Sequence, residues 1–230
     1  MIGLEPLRQR LRNGGKILNI ENIKPEDIEK RSMEIIESEI GDTSHLIESE
    51  KLIVKRVIHT TADFDYLNNL KFSENAVEKG LEALKSGAVI VTDTNMAKAG
   101  ISKPAIKSLG CELHCFMADE DVAAKAKAAG STRAVASVEK AMELFKEKPL
   151  IYVVGNAPTA LIRIAELIEE GRMNPALVVG APVGFVNIIQ SKEMIKKCDV
   201  PYIVADGRKG GSTVAAAICN AMLYQIYKRS

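Results

Sequence analysis

Apolar positions along this chain recur with two different periods. Over the first third they fall at helical spacing. In KPEDIEKRSMEIIESEIG, Ile28, Ile35, Ile36 and Ile40 share one stripe. Pro25 stands near the start, acidic residues fill the first turn and Gly41 marks the end, which are ordinary helix signals. Ser32 lies inside the stripe, midway between Ile28 and Ile36. A serine on a buried face must find a partner, and a bond back to its own helix is the ordinary solution. In SHLIESEKLIVKRVIH, Leu46, Ile53 and Val57 are spaced as a second core stripe. ENAVEKGLEALKSG reads as a third helix, stopped by Gly87.

Beyond Gly87 the period changes to short β-branched runs, each followed by a helical pattern. The runs are AVIVTD, the weaker CELHCFM, LIYVVGN, ALVVGAP and PYIVAD. From residue 150 onward they are almost continuously apolar, as strands buried on both faces are. The alternation predicts an α/β fold: a mainly parallel sheet in a three-layer α/β/α sandwich, with extra N-terminal helices. Two turns echo each other, VVGNAPTALIRI and VVGAPVGFVNI. Each ends a strand at Gly155 or Gly180 and is read as opening a helix near Pro158 or Pro182. That places both at the carboxyl ends of strands, where ligands of open α/β sheets collect. No Pro/Gly/Ser-rich linker divides the sequence, so residues 1–230 are expected to form one domain, with residues 1–22 as an N-terminal surface arm.

Composition narrows the function. The 31 basic and 30 acidic residues give a net charge of +1, which argues against bulk nucleic-acid binding. A locally basic cleft for an anionic small molecule remains compatible with a neutral chain. Aromatics make up 4% with no tryptophan, too few for stacking platforms. No apolar run approaches the roughly 20 residues a membrane helix needs. The four cysteines, Cys111, Cys115, Cys198 and Cys219, read as free thiols. CELHC has no second ligand pair, and in an extended strand Cys111 and Cys115 point one way and His114 the other. HTTADFD, with one histidine and two aspartates, is a weak metal motif.

The familiar nucleotide and hydrolase fingerprints, G-x-G-x-x-G, G-x-x-x-x-G-K-[ST] and G-x-S-x-G, are missing. DGRKGGSTVAAAI is nearest to a phosphate loop; it reads equally well as a plain strand-to-helix turn with Arg208 and Lys209 exposed. STRAVASVEK starts a helix that Ser131 or Thr132 can cap. Arg133 then falls in the first turn, unfavourable against the helix dipole, and is either part of an anion site or a solvated cation.

VIHTTADFDY puts His59, one of three histidines, where a patterned helix runs out into a polar loop. Lys55 and Arg56 precede it by four and three residues, so both can neighbour the imidazole, where like charge disfavours the imidazolium.

Together, RSMEII, RVIHTTADFDY, VTDTNMAKAGI, GSTRAVASVE, YVVGNAPTAL, NPALVVGAPVGFVN and PYIVADGRKGGSTVAAAICNA resemble the precorrin-8X methylmutase family, which also acts as cobalt-precorrin-8 methylmutase. The match runs from about residue 24 to 225, and the order of GNAPTAL, GAPVGFV and GRKGGS is its most specific part. The resemblance implies a cytoplasmic homodimer with a Rossmann-like fold, binding an anionic tetrapyrrole and neither nucleic acid nor membrane. It implies an isomerase of cobalamin biosynthesis that moves a methyl group from C-11 to C-12, yielding hydrogenobyrinate or cobyrinate. No redox cofactor, methyl donor or resident metal is expected; cobalt, where present, belongs to the substrate. The catalytic histidine of the family's R-x-I-H motif matches His59. Its serine matches Ser32 and the arginine of its G-x-T-R motif matches Arg133. Arg56, Arg133, Asn156 and Ser32 become the expected substrate contacts, with Arg208 and Lys209 as weaker ones; for Ser32, orienting His59 is the other reading. The alternative reading is a non-catalytic corrinoid carrier.

Overall fold

The computed structural model describes residues 21–227. The expected N-terminal arm lies outside the described residues except for its last two. After a 3₁₀ turn at Pro25–Asp27 come α1 (Ile28–Glu39), α2 (Glu48–Thr61), α3 (Tyr66–Asn69), β1 (Leu70–Phe72) and α4 (Ala76–Lys85). The β-rich part comes next: β2 (Val89–Thr92), α5 (Asn95–Gly100), α6 (Lys103–Ser108), β3 (Glu112–His114), α7 (Glu120–Ala128), α8 (Arg133–Leu144) and β4 (Leu150–Val154). The chain ends with α9 (Pro158–Glu169), β5 (Leu177–Gly180), α10 (Ile188–Lys197), β6 (Tyr202–Ala205) and α11 (Ser212–Ile226).

The six strands lie in the order β1-β6-β5-β4-β2-β3. All neighbours are parallel except β1, which runs antiparallel to β6 with Leu70 opposite Ala205. Alternate residues of each central strand serve different cores. Ile90, Ile151, Val153, Leu177, Val179 and Ile203 face a cluster shared with α2, α4 and α11. Val91, Tyr152, Val154, Val178 and Val204 face a second cluster shared with α7, α8, α9 and α10. Two apolar faces, each covered by helices, make the three layers expected from the sequence. Each fully buried Ile or Val side chain contributes about 1.5–3 kcal/mol, so the strands act mainly as apolar surface for both layers. Among the described residues no helix is long and apolar enough to cross a membrane.

Several expectations need correction. β1 was not anticipated: LKF is too short for its period to stand out. CELHCFM supplies only three strand residues. Cys111 and Cys115 therefore do not share a face. Cys111 sits in the first core with its thiol on the Leu84 carbonyl at 3.2 Å, while Cys115 lies near Tyr152 of the second core. Pro182 does not open a helix, because α10 begins only at Ile188. The intervening loop passes through positive φ at Gly184 and Asn187 and leaves Phe185 and Val186 82% and 76% exposed. The stripe of α1 is also only half core. Ile36 and Ile40 are buried, but Ile28 and Ile35 are 53% and 38% exposed, because α1 packs on α2 rather than on the sheet.

Candidate active site

His59 sits in the last turn of α2. The helix stops because Ala62 turns left-handed at φ 53, donating its N–H to the Ile58 carbonyl at 2.7 Å. The two threonines that raise the question of a polar loop are spent locally. Thr60 and Thr61 donate their hydroxyls to the carbonyls of Arg56 and Val57, at 2.9 and 2.8 Å. His59 is exposed to a cleft of about 540 Å³ between α2, the start of α1 and α11. Arg56, Glu29, Thr213, Asn220 and Tyr224 line it with the imidazole.

Arg56 is held on two sides. Its guanidinium forms an ion pair with Glu29 at 2.8 Å and lies over the Tyr224 ring, 5.4 Å from the centroid. Lys55 pairs with Glu37 on α1. The like-charge crowding expected around His59 is thus offset, because α1 supplies a carboxylate to each cation. Lys51, with Lys55, holds the Glu37 carboxyl down at about 2. Asn220 is occupied structurally: its side chain accepts from the Ser102 N–H and donates to the Gly100 carbonyl, both at 2.8 Å.

The other expected contacts stand apart from this cleft. Ser32 donates to the Ile28 carbonyl at 2.9 Å and is not among the cleft-lining residues, which is the self-bonded arrangement. Arg133 is the exposed first residue of α8, behind Thr132, whose hydroxyl caps the Val135 N–H at 3.3 Å. The same hydroxyl meets that of Thr159 on α9 at 3.0 Å, which brings the starts of α8 and α9 together. Asn156 is exposed in the turn before α9. Arg133 and Asn156 therefore share the carboxyl edge of the sheet, while His59 and Arg56 share the cleft. The two regions join through the start of α11. Ser212 bonds the Thr94 hydroxyl at 2.8 Å and packs so tightly on Gly155 that a Cβ there would lie 2.7 Å from its Cα. Thr213, the next residue, lines the His59 cleft.

Asp93 was missed. The strand order reverses between β2 and β4, and Asp93 stands just after β2 at that switch point. Its buried carboxylate accepts the N–H groups of Gly155, Asn156 and Ala157 at 2.8, 2.8 and 2.7 Å. Burial pushes the carboxyl up from its ordinary range, with the three amides working against that shift. An anion site at the start of α9 is therefore filled by the chain's own carboxylate, which explains physically why no nucleotide loop is legible there. The sequence signal was the aspartate closing an otherwise apolar run, AVIVTD.

The GRKGG loop is braced rather than open. Lys209 donates to Asp63 and Asp65, each at 2.6 Å, and holds the Asp63 carboxyl below its usual range. Among the described residues, no group of three His, Cys, Asp or Glu side chains is arranged to hold a metal ion. Arg208 lies over Phe185, 5.5 Å from the ring centroid. Gly210 permits the fit: at φ 155 a Cβ would collide with the Ala181 carbonyl oxygen. Beneath the loop Lys192, 1% exposed, donates to the carbonyls of Gly207 and Lys209 at 2.8 and 2.9 Å. Nothing in IIQSKEMIKK distinguishes this lysine from its neighbours.

Burial lowers the Lys192 ammonium from 10.5 to about 8, with Asp206 opposing the shift. Between those values the unfolded chain binds the extra proton, so native stability rises with pH. Relative to Lys192→Met, the wild type is expected to gain roughly 2 kcal/mol between pH 7.5 and 9.5 in paired urea titrations. A gap that stays constant would mean that this amine does not titrate there.

An exposed imidazole at a helix end, beside a braced arginine, lines an open cleft of the α/β/α sandwich, an arrangement suited to binding an anionic small molecule. Comparison with known proteins makes the class specific. The precorrin-8X methylmutase family profile matches residues 27–225. The cobalt-precorrin-8 methylmutases of Leptospira interrogans and Salmonella typhimurium are 45% and 44% identical, each over 88% of this chain and over 94% and 96% of their own lengths. The precorrin-8X methylmutase of Pseudomonas aeruginosa is 36% identical over 85% of this chain and 93% of its own. The crystal structure of the Thermus thermophilus precorrin-8X methylmutase superposes with a TM-score of 0.78 at 39% identity, covering 86% of this chain and 96% of that one. The chain belongs to the precorrin-8X methylmutase family, isomerases of cobalamin biosynthesis.

Proposed function

We propose that this isomerase moves a methyl group from C-11 to C-12 of precorrin-8X or its cobalt form, giving hydrogenobyrinate or cobyrinate, with His59 as the proton donor and acceptor. The observation that carries the reading is that His59 and the braced Arg56 share one cleft of about 540 Å³. The shift is formally a sigmatropic rearrangement, so no nucleophile is needed. A proton given to a ring nitrogen, or a hydrogen bond to it, biases the conjugated system toward the migrated form, and the proton then returns to the imidazole. A positioned acid contributes about 10²–10⁴-fold, or roughly 3–5 kcal/mol. Holding the ring in its reactive shape contributes more.

The substrate carries many acetate and propionate groups and needs scattered donors around it. Arg56 serves it inside the cleft and Arg133 and Asn156 serve it at the carboxyl edge; Ser32 of α1, whose hydroxyl is donated to Ile28, serves it only by giving up that bond when the ring binds. A guanidinium can grip a carboxylate with two parallel bonds. The protein works in the cytoplasm as a homodimer, the second copy closing the open side of the cleft. It uses no redox cofactor and no separate methyl donor, and cobalt enters only within the substrate.

Arg133→Ala is expected to weaken product binding by about tenfold, with a shallower salt dependence. Affinity that is unchanged across a salt series would make Arg133 a solvated surface cation. The reaction itself is tested by absorbance scans of the purified protein with metal-free and cobalt-bound precorrin-8. Moving the methyl group changes the conjugated path, so turnover gives a progressive spectral change, and the faster form identifies the natural substrate. An immediate stoichiometric change without turnover would mean a corrinoid carrier.

A further inference from the structure

The chain leaves α2 two residues after His59, and two aspartates of the turn that follows pair with Lys209 in the loop before α11, the helix that forms the opposite wall of the cleft. Lys209 Nζ reaches Asp63 and Asp65 at 2.6 Å each, and Asp63 also accepts the Asp65 N–H at 3.0 Å. Taken alone this is a surface cluster, with Lys209 44% exposed, and such pairs do little by themselves. The loop that carries Lys209 is not free, however. Lys192 binds two of its carbonyls from below. The Arg208 carbonyl accepts the Gly184 N–H at 3.2 Å, and the Gly211 N–H donates to Ala181 at 2.8 Å. A buried ammonium is costly unless it is fully bonded, so this loop is held rigidly from inside the protein. It runs without interruption into α11, whose Thr213, Ala216, Asn220 and Tyr224 form the cleft wall facing Arg56 and His59.

We propose that Lys209 is a positioning residue for the isomerisation: through Asp63 and Asp65 it ties the turn that ends the His59 helix to the loop that leads into α11, fixing the imidazole over the bound macrocycle. Lys192 anchors the tie from beneath. This rests on the function proposed above. It assigns Lys209 to alignment of the acid and removes it from the direct contacts to substrate carboxylates. Misplacing a catalytic group by an ångström typically costs about a hundredfold in rate, so a tie at the end of this short turn has leverage.

The test compares Lys209→Met, Lys209→Arg and the double variant Asp63→Asn with Asp65→Asn by hydrogen exchange and by turnover of precorrin-8. Lys209→Met and the double aspartate variant are expected to exchange faster only around residues 57–66. Both are expected to lose about ten- to a hundredfold in kcat, with KM and product affinity within about twofold of wild type. Lys209→Arg, which keeps a cation able to reach both carboxylates, is expected to restore most of the rate. A rise in KM and a loss of product affinity in Lys209→Met alone would make Lys209 a substrate contact and overturn the proposal. Unchanged exchange, or faster exchange with unchanged kcat, would overturn it too. If wild type turns nothing over, the proposed function fails, and the tie is judged on the exchange data alone.

Discussion

Replacing His59 with alanine is expected to abolish turnover while leaving product affinity within about tenfold, because truncating one contact costs on the order of a kcal/mol. The split reflects where the residue sits. The imidazole is exposed on the cleft, outside the packed core, so its loss opens no cavity. Val57 and Ile58, which anchor the same turn, stay buried. The variant should therefore fold and melt like wild type. Equal melting curves with turnover lost, monitored by absorbance, isolate the chemical role. Normal turnover by the purified variant would remove His59 from the mechanism, and the acid would have to be sought among the other cleft groups.

The largest effect on stability is expected at Asp93. Its carboxylate is the partner of three successive amides at the start of α9, in the crevice between β2 and β4. Asp93→Ala removes those acceptors together and leaves buried N–H groups unpaired, at a cost of about 3–5 kcal/mol. For a chain of this size that corresponds to a fall in Tm of roughly 10 °C. Asp93→Asn keeps one acceptor oxygen, so its melting temperature should lie between those of Asp93→Ala and wild type. An alanine variant melting within a degree or two of wild type would mean that water replaces the carboxylate at little cost.

Strong periodicity made the layers legible. The runs LIYVV, ALVVG and PYIVA have apolar side chains at successive positions because both sheet faces are covered, and the structure divides those residues between two cores. Weak or short patterns failed. LKF carries too few residues to show a period, yet it closes the sheet at an antiparallel edge. The α1 stripe misled because apolar spacing does not say what the stripe faces: Ile28 faces the cleft.

The candidate site was legible to the extent that it depends on one segment. His59 and Arg56 lie one helical turn apart, so their sharing of a cleft is a matter of spacing. Their acidic partners are not, because Glu29 comes from α1 and is brought near only by helix packing. The same holds for Lys209, which is 146 residues from Asp63, and for Asp93, which is 62 from Gly155. Carboxylates and lysines that work across the fold look like ordinary surface charges until the fold is known. In HTTADFD the acidic pair follows the end of a helix and is engaged by the Lys209 ammonium, a partner the local sequence does not reveal.

The most direct test of the proposed site is a crystal structure of the protein with hydrogenobyrinate or cobyrinate bound. The macrocycle is expected in the cleft between α2 and α11, with the His59 imidazole within hydrogen-bonding reach of the ring and Arg56 on a side-chain carboxylate. A macrocycle bound elsewhere, with His59 facing only solvent, would contradict it.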